Sequence, residues 1–533
     1  MKSQSIPSSN TNSVKRWLLI VLGLLILFAV GAVVVYSMNE GRVIALLPYI
    51  IICAVILFFV TLFGAFQVRK SFASAPVIAL GTWVVLGIVG AVGGAYLFQN
   101  NLPPRYQQEL SEQLPFLRSL MAPTPSGGIV PTVDPSASQL SAEDLLSMPI
   151  IGGSESTSEP ETSQEAGVPT LEPDEGAFYN TRIHLRIPPS TSNHADQEKT
   201  APVLFAQDPT STPVQPRPQL PVSARLNGIQ HIQQGWNNCG PANITMALSY
   251  FGWSRSQDYA ANLLKPNTED KNVSPGELVR FVNTYTDQRA ITRMGGDLYL
   301  LRNLLAHNFP VIIETGYYLE GTDWLGHYQT LIGYDEMASA FYLYDSNLGS
   351  GENGTGIATS YVDLDREWQA FNRLFIVLYE PEREGELTGI LGEYASVNRA
   401  YEIALETATN EARANRQNPY AWFNMGTSYT RLGQHEEAAS AYDQARMLGL
   451  PFRMLWYQFG PFEAYFEAGR YSDVESLVQN NLTNGAQYVE ETFFWQGQVL
   501  AAQGSVSEAA AAYRRALNFN PNYIAAQEAL DNL

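Results

Sequence analysis

Towards the C-terminal end one pattern of small and large residues is written twice. Gly426, Tyr429, Gly433, Ala438, Tyr442 and Ala445 recur as Gly497, Leu500, Gly504, Ala509, Tyr513 and Ala516, each 71 residues further on. A constant offset over six positions requires paired helices that nest small residues against large ones. Such pairs stack in a line, each contacting only its neighbours. A spacing of 71 holds two helical pairs of about 34 residues plus a short insertion. A middle copy supplies Trp456, Tyr465, Gly469, Val474 and Val478, with the insertion near Gly460-Pro461. Tyr394 to Ala414 reads as a preceding helix, Pro521 closes the last unit, and Ile524 to Leu533 reads as a capping helix.

A second stretch carries chemistry. Residues 233 to 243 read Gln-Gln-Gly-Trp-Asn-Asn-Cys-Gly-Pro-Ala-Asn. Cys239 is one of two cysteines in the chain, and the other, Cys53, lies in an apolar run. Ala242, Ile244, Thr245, Ala247, Leu248 and Phe251 follow at helical spacing. Pro241 suits a first helical turn, where no N–H is needed. A thiol at a helix N-terminus is favoured as thiolate, the nucleophilic form. Further on, Gly326-His327 opens the apolar run 328–334, and a second strand-like run, 340–344, ends at Asp345. Cys, His and Asp in this order supply a nucleophile, a base and an orienting group. Gln233 is placed to donate its amide to an oxyanion, with Gln234 as a competitor. Asn347 is an alternative orienter, and His231 and His307 are alternative bases.

These residues resemble the papain-like peptidases of the bacteriocin-processing type, the double-glycine leader peptidases and their stand-alone relatives. The features that carry the resemblance are Gln233, the 238–242 turn, the His327 strand with Gly333-Tyr334-Asp335 at its end, and Asp345. It spans roughly 226 to 380 and implies an α+β domain in which Cys239 attacks a peptide carbonyl. His327 would then move the proton, Asp345 orient the imidazole, and Gln233 bind the oxyanion. The C-terminal pattern resembles tetratricopeptide repeats, whose groove usually takes a peptide or partner protein; a bare scaffold is the competing role.

The local signals agree with that layout. Ser274-Pro275-Gly276-Glu277 is a capping box with proline at the first helical position, starting a helix to about Asn283. Asp297 caps a helix from Leu298 to His307. Strands are predicted at 311–315, 327–334, 341–344, 358–361 and 374–379, with a short helix at 365–371. Helices first and an antiparallel sheet after them is an α+β arrangement.

The N-terminal third differs in kind. Apolar runs at 17–37, 43–66 and 76–98 each reach the ~20 residues a membrane helix needs. Lys2, Lys15, Arg16, Arg69 and Lys70 place the N-terminus in the cytoplasm, and three spans then put the remainder outside. From 99 to 222 the chain is rich in Pro, Ser, Thr and Glu, the composition of a disordered tether. Within it, 140–151 reads as a brief amphipathic helix and 178–187 alternates like a strand.

The expected fold class is therefore multi-domain: an all-α transmembrane region (1–98), a disordered linker (99–222), an α+β papain-like peptidase domain (223–385) and an all-α tetratricopeptide solenoid (390–533). The expected function is a membrane-anchored, extracytoplasmic cysteine peptidase whose repeats recruit a partner or substrate. A non-catalytic adaptor and a related acyl transferase or amidase are the alternatives. The expected partners are a peptide or protein substrate, a protein in the repeat groove, and the lipid bilayer. The formal net charge of −20 argues against nucleic acid, which wants a basic face. No set of His, Cys and carboxylates has metal-ligand spacing, and no phosphate loop is present, so no cofactor is expected.

Overall fold

The computed structural model describes residues 129–133, 138–148, 171–172, 217–318 and 323–533, with isolated positions before residue 129. The peptidase-like and helical regions fall within one compact unit, Pro125–Leu533.

The centre of the unit is an antiparallel sheet. Its strands are β1 (Ser223–Arg225), β2 (Arg289–Arg293), β3 (Val311–Tyr318), β4 (Trp324–Asp335), β5 (Ala340–Asp345), β6 (Ile357–Ser360) and β7 (Phe375–Tyr379). The order is β2-β7-β3-β4-β5-β6, and β1 pairs with the far end of β4. The long β4 is thus central, paired with β3 from Trp324 to Leu331 and with β5 from Gln329 to Asp335. A bulge between Leu331 and Gly333 interrupts the β4–β5 ladder. At Gly333 a Cβ would sit 2.5 Å from the Ala224 carbonyl, so glycine is what lets β1 approach.

A short helix, α1 (Ala142–Ser147), precedes the sheet in the chain, and the helices that flank the sheet are α2 (Cys239–Ser249), α3 (Gln257–Leu264), α4 (Pro275–Tyr285), α5 (Leu298–Ala306), α6 (Tyr361–Gln369) and α7 (Glu384–Leu391). The cap signals appear as bonds: Ser274 and Glu277 form a reciprocal capping box on α4, and the Asp297 carboxylate accepts from Leu300 N on α5. α2 is buried along nearly its whole length. It reads as a continuous apolar and small-residue helix because it lies against the sheet on one side and other helices on the other.

The C-terminal region is all-α. It runs through α8 (Val397–Ala414), α9 (Pro419–Arg431), α10 (His435–Leu448), α11 (Met454–Tyr457), α12 (Gly460–Glu467), α13 (Tyr471–Thr483), α14 (Glu490–Ala502), α15 (Val506–Phe519) and α16 (Ile524–Asp531). The repeated glycines sit where helices touch. A Cβ on Gly426 would lie 2.7 Å from the Tyr442 ring, and one on Gly497 would lie 2.4 Å from Tyr513. The 71-residue echo is therefore two copies of one glycine-under-tyrosine contact.

This stack is bolted to the sheet domain. Arg373 bridges to Glu411 at 2.6 Å, Asn424 donates to the Gln369 carbonyl at 2.8 Å, and Gln458 donates to the Ala370 carbonyl at 3.0 Å. One hydrophobic core holds Ile244 and Phe281 together with Trp422 and Phe462. Pieces of the expected linker also dock on the repeats. Val130 is fully buried and donates to the Leu450 carbonyl at 2.9 Å, and Arg413 grips the Leu146 carbonyl at the end of α1.

One expectation is corrected. The all-α transmembrane region does not stand in the fold class, because among the described residues no helix is long and apolar enough to cross a membrane. The longest element described, α8, has 18 residues but carries Arg399, Glu402, Glu406, Glu411 and Arg413. The apolar runs at 17–37, 43–66 and 76–98 lie almost wholly outside the described residues, as do the strand-like 178–187 and the side of a membrane on which the chain would lie. What the structure supports is an α+β domain followed by an all-α helical region.

Candidate active site

The site is built where the N-terminus of α2 meets the C-terminal edge of β5. Asn237 adopts a left-handed backbone, φ 50°, which asparagine tolerates, and this turns the chain into the helix. Asn238 is the N-cap residue, yet its side chain makes no cap bond. Cys239 is the first helical residue and partly exposed. The thiol thus sits at the positive end of the helix dipole.

His327 lies on β4, opposite Thr315, and Asp345 ends β5, opposite Gln329. Both are buried, Asp345 completely. His327 Nε2 meets Asp345 Oδ1 at 2.9 Å. That leaves Nδ1 for the thiol, and Cys239 and His327 act on each other through a side-chain hydrogen bond and through charge.

Asp345 is held from every side. Its Oδ1 also accepts from the backbone N–H of Asn347 and Leu348 at 2.7 and 2.8 Å, and its Oδ2 accepts from the Gln329 amide at 2.9 Å. Burial raises its proton affinity, but the bond and charge of His327 and the amide donors outweigh this and bring the carboxyl to about 2. For His327, burial works against the charged form, yet Asp345 and Cys239 push the imidazole up to about 10. For Cys239, burial works against thiolate, but His327, the Tyr328 N–H and the Lys265 charge together bring the thiol below its ordinary range. A thiolate–imidazolium pair is the state this environment favours.

Gln233 is close by but turned elsewhere. It is exposed, and its amide donates to the Asn347 carbonyl at 3.1 Å. Gln234 accepts from Ser346 Oγ at 2.7 Å. Of the alternative bases, His231 contacts the Asp345 backbone carbonyl at 2.9 Å, not its carboxylate, and His307 caps α5 through Asn303. Asn347 supplies backbone groups to the turn. Trp236 bonds Glu269 at the rim, Trp253 packs on Tyr259 and Phe281, and Trp324 stacks on Phe371 in the core.

Four residues that sequence reasoning passed over hold the constellation. Asn243, one turn below Cys239, donates to the carbonyls of Cys239 and Tyr328 at 2.9 and 2.8 Å and accepts from Thr330 Oγ1 at 2.8 Å. It locks the helix to the strand that carries His327. Gln329, two residues beyond His327 and so on the same face of β4, steadies Asp345 and accepts from Thr315 Oγ1 at 3.2 Å. Lys265 is buried and donates to the carbonyls of Asn237, Thr268 and Asp270, fixing the loop before the cysteine. Glu314, facing Tyr328, is buried and held protonated, first by burial and then by the Cys239 charge. The i+4 spacing of Asn243 from Cys239, and the i+2 spacing of Gln329 from His327, were the available signals. Replacing Asn243 by alanine should lower unfolding stability by roughly 2–4 kcal/mol, since a buried network loses its partners. Urea midpoints of the two proteins measure this.

A cysteine heads a buried helix and faces an antiparallel sheet with histidine on one strand and aspartate on the next, an α+β arrangement. Comparison with known proteins narrows it. Residues 214–374 match the model of the Peptidase_C39 like family, and residues 419–445, covering α9 and most of α10, match that of the tetratricopeptide repeat. A domain similar to the Peptidase_C39 like family is thus joined to a helical region similar to tetratricopeptide repeats. A solved structure from Bacillus anthracis, described as a C39-like peptidase, is similar at 17% identity over 29% of this chain and 96% of that one, with a TM-score of 0.24. No curated protein matches the chain. Among the described residues no group of His, Cys, Asp and Glu is arranged to hold a metal ion.

Proposed function

We propose that the domain hydrolyses peptide bonds with Cys239 as nucleophile. The thiolate attacks the scissile carbonyl, and the C=O electrons pass to an oxyanion held by the Cys239 N–H at the α2 N-terminus. His327, protonated at rest, gives its proton to the departing amine as the C–N bond breaks. Water then attacks the thioester, His327 takes the water's proton, and the acid leaves as the thiol regains its charge-paired state. Asp345 keeps the imidazole in the required tautomer throughout. The observation that carries the reading is the opposed shift of two neighbours: a thiol made more acidic and an imidazole made more basic, joined to a fully buried carboxylate.

Gln233 is the second oxyanion donor in this reading. Its amide must leave the Asn347 carbonyl and swing towards the sulfur when substrate arrives. Gln233→Ala is expected to reduce kcat by roughly 10²-fold with little change in stability, because the side chain is exposed and donates to a single carbonyl. The repeats have two roles here. One face clamps the peptidase domain, as the Arg373–Glu411 bridge and the shared core support. Their remaining surface recruits a protein partner or the substrate.

The decisive experiment exposes a broad peptide mixture to the native protein and to Cys239→Ala, and identifies new termini by mass spectrometry. New termini made only by the native protein are expected. Identical profiles would leave a binding module, and products joined to an added amine would mark a transferase.

A further inference from the structure

We propose that Arg453 and Lys271 form a carboxylate-binding subsite at the seam between the peptidase domain and the repeats, selecting peptides that carry an acidic group beside the scissile bond. This rests on the peptidase reading above.

Buried guanidinium groups in this molecule are otherwise satisfied. Arg373 holds Asp365 and Glu411, Arg446 holds Asp473, and Arg293 donates to the carbonyls of Tyr394 and Ala395. Arg453 differs. It is 8% exposed, its Nε is buried without a hydrogen-bond partner, and it makes no ion pair among the described residues. Its guanidinium lies 4.8 Å from the centre of the Trp456 ring. The Lys271 ammonium, from the peptidase domain, lies 4.4 Å from the centre of the same ring. Two cations from two modules therefore converge on one indole, and among the described residues neither makes an ion pair with a carboxylate. Asp323 acts on Arg453, and Glu269 and Asp270 act on Lys271, but only through space. Burial, and then the Arg453 charge, bring Lys271 down to about 8.

The floor of this site is shaped for approach. Gly485 has a left-handed backbone, φ 101°, and a Cβ there would lie 3.2 Å from Trp456 and 3.4 Å from Lys271 Nζ. The site also adjoins the residues around Cys239, which acts on Tyr457 through space. Tyr457, next to Trp456, packs its ring on Gly326, the residue before His327. Lys271 lies in the segment that Lys265 ties to the Asn237 carbonyl, two residues before Cys239. A planar guanidinium fork beside an ammonium suits a carboxylate, which would satisfy both charges at once. The ligand chemistry is a peptide carboxylate, from an Asp or Glu side chain or from the chain terminus.

The test uses the full chain with Cys239→Ala, so that binding is read without turnover. Short alanine–glycine peptides with a central glutamate or glutamine, each with a free or an amidated C-terminus, are titrated by calorimetry. A peptide bearing a carboxylate is expected to bind roughly tenfold more tightly than the amidated glutamine peptide. Arg453→Gln and Lys271→Gln, each added to that background, should both erase the difference. Whether the glutamate or the free terminus carries the preference tells which carboxylate is read. Equal binding of all four peptides, or a preference that survives both substitutions, overturns the proposal. If Arg453→Gln fails to fold, the partly exposed Lys271 variant decides the matter alone. Acidic peptides that bind yet are never cut by the native protein would sink the hydrolase reading and leave the subsite.

Discussion

In His327→Ala, alkylation of Cys239 by iodoacetamide at pH 6.5 should slow roughly 10²-fold, while peptide hydrolysis falls by about 10⁴-fold or more. The first figure follows from the thiolate fraction. A free thiol with an ordinary pKa of ~8.5 is about one per cent ionised at that pH, whereas the native pair is already charged. The second adds the loss of the group that protonates the leaving amine. The pH profile of the native protein follows from the same pair. Its acid limb marks protonation of Cys239 and lies below the ordinary thiol range. Its alkaline limb falls as pH rises through about 10, where His327 gives up its proton. The stability contribution has the same sign. The histidine's folded value stands above its ordinary 6.5, so the contribution is complete below 6.5 and is lost as pH rises through about 10. Asp345 works in the other direction: its carboxyl is depressed to about 2, and its share is lost only as pH falls through that value. Native-like alkylation at pH 6.5 in His327→Ala would show that the helix N-terminus alone ionises the sulfur, and would remove the imidazole from the mechanism.

Much of this site was readable before any coordinates. Short-range chemistry announces itself in sequence: a proline in the first turn of a helix, a capping box, an aspartate before a helix. The repeats were readable for a related reason, because glycine under tyrosine is a local contact repeated at a fixed interval. What was missed is long-range. Asn243 looks like any polar residue in a helix until Thr330 and the Tyr328 carbonyl arrive 85 or more residues later. β2 was overlooked because Arg-Ala-Ile-Thr-Arg has charged ends and no clean alternation. It is a strand because β7 pairs with all five of its residues. The seam between the two modules was invisible for the same reason. Gln233 shows the limit of spacing itself: its position relative to the cysteine matches the resemblance, but the amide's direction is set by the Asn347 carbonyl.

That seam carries the second large expected effect. Replacing Glu490 by glutamine should raise unfolding stability at pH 8 by roughly 1–3 kcal/mol, and change it little at pH 5. Three carboxyl groups are buried together here, Asp270 from the peptidase-like domain and Glu490 and Glu491 from α14, with the half-buried Glu277 beside them. Asn272 donates to Glu491 at 2.8 Å, and Asn520 donates to Glu490 at 2.6 Å, while the second oxygen of each glutamate is buried without a hydrogen-bond partner. Lys265 is the buried cation that faces them, and its main bonds go to backbone carbonyls. Burial first, and then mutual repulsion, raises Glu490 and Glu491 well above the carboxylate range; burial brings Asp270 to about 6. A raised carboxyl stabilises the fold only while it keeps its proton. The contribution is full below the unfolded value near 4 and is lost as pH rises through about 6 and beyond. An amide in place of Glu490 keeps the shape and the Asn520 contact and cannot ionise, so it removes one charge from the cluster. Urea unfolding at the two pH values tests this directly. A substitution that destabilises equally at both would mean that Glu490 sits in the seam as a paired carboxylate, with its charge already compensated.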